Sequence, residues 1–167
     1  MNFSHSFQKI KNHLFKKENI FYFSIIIIIF FFDRFSKLQI LNQYNNNTVY
    51  INDFINFDLI WNTGIGFGLL SSKSILLYNL ISIIIGLVVL ILIYIFLISN
   101  KYEKFIYTLI IGGALGNFYD RLNYQAVPDF IDIHYKNYHW FTFNCADIFI
   151  SLGIILILLK EIFKKNV

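Results

Sequence analysis

The sequence predicts an α-helical integral membrane protein, with four transmembrane helices and a small β-like cradle on the extracytoplasmic side. Three observations lead there. Of 167 residues, 57% are hydrophobic and only 14% are charged, more apolar surface than a soluble domain of this size buries. Mean hydropathy is +0.59, and the apolar residues gather into stretches of the roughly 20 residues that a helix needs to cross a bilayer. The basic residues form short clusters beside those stretches rather than one extended face. That arrangement fits membrane orientation and argues against a nucleic-acid partner despite a net charge of +4.

Taken in order, the first twenty residues carry Lys9, Lys11, Lys16 and Lys17 ahead of an apolar run. No small-residue cleavage site follows that run, so it reads as a retained first span, about 20–40. The outer segment 41–73 departs from helical patterning. Val49-Tyr50-Ile51 and Phe57-Asp58-Leu59-Ile60-Trp61 alternate, glycines stand at 64, 66 and 68, and Val49 to Leu70 is read as the cradle. A second span over 74–99 has Asn79 as its only strongly polar interruption. The third, 104–122, ends in Asn117, Asp120 and Arg121, and the fourth, 146–163, opens with Asp147. Between them lies a second outer segment, 123–145. No repeat or linker divides the chain, which reads as a single membrane domain, 1–167. The Ile25 to Ile29 and Asn45 to Asn47 runs read as compositional bias. One cysteine, Cys145, permits no intramolecular disulfide.

The positive-inside bias puts the N-terminus, the Lys101/Lys104 turn and the C-terminal Lys160, Lys164 and Lys165 in the cytoplasm. Both termini are then inside, and the polar motifs converge on the outer face. Trp61, Tyr50 and Trp140 suit the headgroup zone. Ionisable groups at membrane depth are costly enough to mark function.

Each polar motif has a structural reading beside the functional one. Asp129 in Val127-Pro128-Asp129-Phe130-Ile131-Asp132 and Asp147 in Phe143-Asn144-Cys145-Ala146-Asp147 form an acid and base pair if their elements abut, because mutual repulsion keeps one protonated. Alone, Asp147 reads as a capping carboxylate three residues after an Asn144 N-cap. Asp129 alone reads as a turn residue, with Asp132 as an alternative partner. Gly112-Gly113-Ala114-Leu115-Gly116 lets helix backbones approach closely, whereas Asn117, Asp120 and Arg121 exceed what packing needs; Arg121 suits a carboxylate or a substrate carbonyl. Asp33 and Lys37 are spaced for an i,i+4 pair, worth about 0.2–0.5 kcal/mol if exposed, with simple snorkelling as the plain alternative. The glycine-rich Asn62 to Gly68 run lacks the Gly-Lys-Ser/Thr ending of a phosphate loop and reads as a turn. His134 and His139 sit in no His-Glu-x-x-His pattern, and there is no cysteine cluster, so no metal and no cofactor are expected. Ser36 and Ser151 have no serine-nucleophile setting.

In order along residues 30 to 152, Asp33-x-x-Ser36-Lys37, Asn62-x-Gly64-x-x-Phe67, Gly112-Gly113-Ala114-x-Gly116-Asn117-x-x-Asp120-Arg121, Asp129-Phe130-Ile131-Asp132 and Phe143-Asn144-x-Ala146-Asp147 resemble lipoprotein signal peptidase, or signal peptidase II. The resemblance implies an aspartyl endopeptidase of the bacterial cytoplasmic (inner) membrane, cutting just before a diacylglyceryl-modified cysteine. It implies Asp129 and Asp147 as the catalytic dyad. Asn62, Asn117, Arg121 and Asn144 then line the substrate site, and Asp33, Lys37 and Asp120 support it. Gly66 departs from the family's usual alanine. The expected partners are the diacylglyceryl-modified prolipoprotein and membrane lipid, with the enzyme as a monomer. The rival readings are a small transporter or proton-conducting subunit, whose acids belong near the bilayer midplane, and a non-catalytic scaffold that tolerates loss of either dyad acid.

Overall fold

The computed structural model describes residues 16–43, 48–64 and 74–164. Four helices, α1 (Lys17–Gln43), α2 (Ile75–Ile98), α3 (Lys101–Tyr124) and α4 (Cys145–Lys164), carry a sheet made of β1 (Val49–Asn52), β2 (Ile55–Asn62), β3 (Val127–Tyr135) and β4 (Tyr138–Phe143). Each helix overruns the expected span by no more than three residues, except α2, which is one residue shorter at each end. By length and composition α1 and α2 are apolar enough to cross a membrane.

The helices form for local reasons that the sequence carries. On α1, Tyr22, Ile26, Ile29, Asp33, Lys37 and Ile40 recur every three or four residues and make one buried stripe. The residues between them, Ile27, Ile28, Phe31, Phe32 and Phe35, are exposed, as expected of a helix whose solvent is apolar. Ser74 caps α2 by accepting from Leu77 N, and Asn100 with Glu103 forms a capping box at the start of α3. α3 ends where Gln125 takes a left-handed φ of 55°. The chain reverses there, which places Asp129 on β3 rather than in a turn.

α3 lies at the centre, packed against α1, α2 and α4. Its glycines make this possible. A Cβ on Gly112 would stand 2.8 Å from Ile29, one on Gly113 would run into the Ala146 carbonyl, and one on Gly116 into the Asp33 carboxylate. Small residues therefore bring α1 and the start of α4 against α3. At the other end, Tyr22, Ile26, Phe96 and Ile111 form an apolar cluster.

The sheet is larger than the expected cradle. It is antiparallel in the order β1-β2-β3-β4, so the second outer segment contributes half of it. Ile65 to Leu70, including Gly66, Phe67 and Gly68, lie outside the described residues, as do Lys9, Lys11 and Asn45 to Asn47. Lys104, read as a turn charge, instead sits buried in α3 and donates to Asn19 Oδ1 at 2.7 Å.

Candidate active site

Three elements deliver the two key carboxylates and their neighbours to one end of the bundle. In the β2–β3 register Ile60 faces Asp129 and Asn62 faces Val127, which sets the Asn62 amide beside the Asp129 carboxylate. Asn144 follows β4 and opens α4. Its Oδ1 accepts from Asp147 N at 3.1 Å, and Asp147 Oδ2 accepts from Asn144 N at 3.1 Å. The capping role expected of this pair is thus present. It coexists with a second role, because Asn144 Nδ2 also donates to Asp129 Oδ1 at 2.6 Å.

Every oxygen of the two carboxylates accepts one N–H. Asp129 Oδ2 takes Asn62 Nδ2 at 2.9 Å, and Asp147 Oδ1 takes Asn117 Nδ2 at 2.8 Å. The three amides have no freedom to flip, since each carbonyl oxygen is occupied by a group that only donates. Gly64 N donates to Asn62 Oδ1 at 2.9 Å, the Lys37 ammonium to Asn117 Oδ1 at 2.8 Å, and Asp147 N to Asn144 Oδ1. Their NH₂ ends are left to face the acids.

Behind this layer, Lys37 is wholly buried, with Nζ 2.7 Å from both Asp33 Oδ2 and Asp120 Oδ2. The i,i+4 pair exists, but Lys37 does not snorkel: its partners on α1 and α3 hold it inside. Asp33 Oδ1 accepts from Ala146 N at 2.9 Å and ties α1 to the start of α4. Arg34 pairs with Asp120 and lies over the Tyr119 ring at 4.7 Å. Arg121 donates to the Gly64 carbonyl, and Tyr78 Oη donates to the Arg121 carbonyl at 2.7 Å. Asp132 stays apart from the pair and instead binds His139 Nδ1 at 2.7 Å. Sequence reasoning assigned no role to Arg34 or Tyr78. Arg34 stood inside the Asp33 to Lys37 motif as a visible signal, whereas the contact between Tyr78 and residue 121 joins positions too distant in sequence to be read together.

Asp129, Asp147, Asn62, Asn117 and Arg121 line a cavity of about 550 Å³ that continues between α2, α3 and α4 past Ile110, Ala114 and Ile154. Burial, and then the charge of Asp147, push Asp129 up to about 6, against the pull of the Asn62 and Asn144 amides. The cluster holds four carboxylates, Asp33, Asp120, Asp129 and Asp147, against three cations, Arg34, Lys37 and Arg121. By formal charge, one added proton would make it neutral. Asp33 and Asp120 are already held in ion pairs, so the place for that proton is the pair facing the cavity. A carboxylate pair with Asp129 buried and Asp147 half-buried, both lining one cavity, has the acid and base needed to activate water and protonate a leaving group.

Residues 25–163 match the family model described as signal peptidase (SPase) II. The chain is 48% identical over 145 residues to a lipoprotein signal peptidase of Pelagibacter ubique, covering 85% of this chain and 87% of the relative. It is 39% identical to one from Francisella tularensis subsp. novicida, covering 87% and 93%. A bacterial membrane enzyme solved by the in meso method at 2.3 Å resolution superposes with a TM-score of 0.75 at 27% identity, covering 86% of this chain and 88% of that one. A second, at 1.9 Å, gives 0.71 at 29% identity, covering 84% and 91%.

Proposed function

The chain belongs to the signal peptidase II family of aspartic proteases and removes signal peptides from prolipoproteins, and from that premise we propose that Asp129 and Asp147 are its catalytic dyad. The observation that carries the assignment is the donation of one N–H to each of the four dyad oxygens, three from side-chain amides that have no freedom to flip and one from the Asn144 backbone. Such an arrangement fixes both carboxylates without neutralising them and leaves their cavity side for water and substrate.

In this mechanism one acid, written here as Asp129, carries the proton, and the other, Asp147, acts as the base. Asp147 takes a proton from water as the water oxygen bonds to the scissile carbonyl carbon. The C–N bond then breaks as the leaving amine receives a proton from Asp129. Arg121, which already clasps one peptide carbonyl at Gly64, and Asn62 orient the substrate backbone. Lys37, Asp33 and Asp120 hold Asn117 and the start of α4 in place.

All four helices span the bacterial inner membrane in this reading, with both termini cytoplasmic and the dyad at the outer face of a monomeric enzyme. The basic clusters at Lys16, Lys17, Lys101 and Lys160 support that orientation. Water then reaches the dyad from one side while the lipid of a diacylglyceryl-modified cysteine stays in the bilayer, and the cut falls just before that cysteine. A transport or proton-conducting role is not favoured, because the buried acids gather at one end of the bundle instead of lining a path through it. The test is cleavage by purified enzyme in detergent, followed by gel shift. Diacylglyceryl-modified preprotein is cut, and the same preprotein without lipid is cut at least tenfold more slowly. Equal rates would contradict the placement of the dyad at the lipid boundary.

A further inference from the structure

On α2, Tyr78, Ser82, Val89 and Phe96 are buried along one stripe. A Cβ on Gly86, within that stripe, would stand 3.1 Å from Phe118 of α3, and α2 packs chiefly on α3. At the sheet end of the stripe, Tyr78 Oη donates to the Arg121 carbonyl at 2.7 Å. That carbonyl is one of the last four of α3, which a helix leaves without an internal donor. The same phenol oxygen faces the Arg121 guanidinium and attracts it. One hydroxyl therefore ties both the backbone and the side chain of Arg121.

Arg121 needs such a tie. It is buried, and the charges of Asp129 and Asp147 both pull on it. Away from bulk water, a guanidinium drawn to a carboxylate closes into a forked ion pair. Among the described residues Arg121 forms no ion pair with either acid. Its Nη2 donates to the Gly64 carbonyl, while Nη1 is buried without a hydrogen-bond partner among the described residues. The Gly64 contact alone would let the cation swing about a single bond. Tyr78 supplies the second hold.

We propose that Tyr78 is a positioning residue for the hydrolysis, which keeps the Arg121 guanidinium off Asp129 and Asp147 so that the cation serves peptide carbonyls and the dyad keeps its charge. This rests on the dyad assignment above and adds the residue that prevents the dyad from being quenched. Without the hydroxyl, Arg121 swings onto an acid. An adjacent guanidinium favours the ionised carboxylate, so the dyad gives up its working proton at lower pH. Lys37 and Asp33 of α1 also act on the dyad, but their bonds to each other and to Asn117 do not involve Tyr78.

The experiment compares wild type with Tyr78→Phe, which keeps the buried ring and removes one oxygen. Gel-shift cleavage of the diacylglyceryl-modified preprotein gives kcat/KM against pH. In Tyr78→Phe the alkaline limb should move down by about one pH unit, which is about a tenfold loss at any pH above the limb. Arg121→Lys removes the planar fork, and adding Tyr78→Phe to it should move the limb no further. Ser82→Ala removes a buried hydroxyl on the same helix that bonds only the Tyr78 carbonyl, and should keep the wild-type profile. The chain has two arginines, Arg34 and Arg121, so enzyme labelled with [15N]arginine gives two side-chain signals in detergent. The one missing from Arg121→Lys belongs to Arg121, and in Tyr78→Phe it should shift while that of Arg34 stays. An unmoved limb or an unmoved Arg121 signal in Tyr78→Phe would overturn the proposal. So would an equal further loss in the Arg121→Lys background, or an equal displacement of the limb by Ser82→Ala. Asp147→Asn cutting at the wild-type rate would instead overturn the dyad assignment, even with the Arg121 signal moving as expected.

Discussion

The two ends of the bundle carry similar polar chemistry and use it differently. Away from the sheet, Lys104 donates to the neutral Asn19 amide at 2.7 Å, Lys160 pairs with Glu103 at 2.6 Å, and Asn100 closes a capping box with Glu103. Those polar groups satisfy one another and tie α1, α3 and α4 together. At the sheet end, Lys37, Asp33, Asp120 and Arg34 also satisfy one another, but Lys37 spends one more N–H on Asn117. That extra bond passes the order of the ion-pair cluster to Asp147. Polar groups thus tie helices together at one end, and at the other a buried network of the same kind aims a pair of carboxylates at a cavity.

Substituting the two buried lysines breaks this contrast most forcefully. Lys37→Met leaves Asp33 and Asp120 without their shared cation, a loss of about 3–5 kcal/mol. It also frees the Asn117 amide to turn its oxygen toward Asp147, which lowers cleavage about 100-fold. Lys104→Met removes a charged hydrogen bond to a neutral amide and costs about 1.5–3 kcal/mol, with cleavage per folded enzyme unchanged. Thermal unfolding in detergent and gel-shift kinetics measure both. Equal losses of activity in the two variants would erase the distinction between the ends.

The amides can be tested through pH. In the proposed mechanism the dyad works with one proton, so kcat/KM is expected to fall as pH rises through the Asp129 value of about 6. Asn62→Ala removes an N–H that favours the ionised form. Asp129 then keeps its proton to higher pH, and the alkaline limb moves upward, on a reduced maximum. A limb that stays in place, or moves down, would show that Asn62 does not set the Asp129 charge.

The smallest effect is expected at the far end, where Lys160 and Glu103 are partly exposed. Lys160→Met should leave unfolding temperature and cleavage at wild-type values, since a solvent-screened pair contributes little. A clear drop in cleavage would mean that the ends communicate more closely than packing alone explains.

Part of the candidate site was legible from short motifs. Asn117, Asp120 and Arg121 after a run of small residues stood out as polar groups that packing does not need, whereas Asp147 after Asn144 read, taken alone, as a helix cap, and only the order of the motifs along the chain pointed to more. Helices were legible from apolar length. The β3–β4 hairpin was not, since its turn is Lys136-Asn137, with Lys136 at φ 54°, and carries no Asn-Gly or Asp-Gly signal. β4 itself is a short aromatic run without clean alternation. The placement of Lys37 also escaped sequence reasoning. Its i,i+4 spacing from Asp33 fits an exposed pair equally well, and the partners that bury it, Asn117 and Asp120, lie about eighty residues away.

The central claim is that Asp129 and Asp147 together perform the hydrolysis. The direct measurement is gel-shift cleavage of a diacylglyceryl-modified preprotein by Asp129→Asn and Asp147→Asn, each shown by thermal unfolding to be folded. Both should lose cleavage by about 10²–10⁴-fold. Either variant cutting at the wild-type rate would remove that carboxylate from the chemistry and contradict the account.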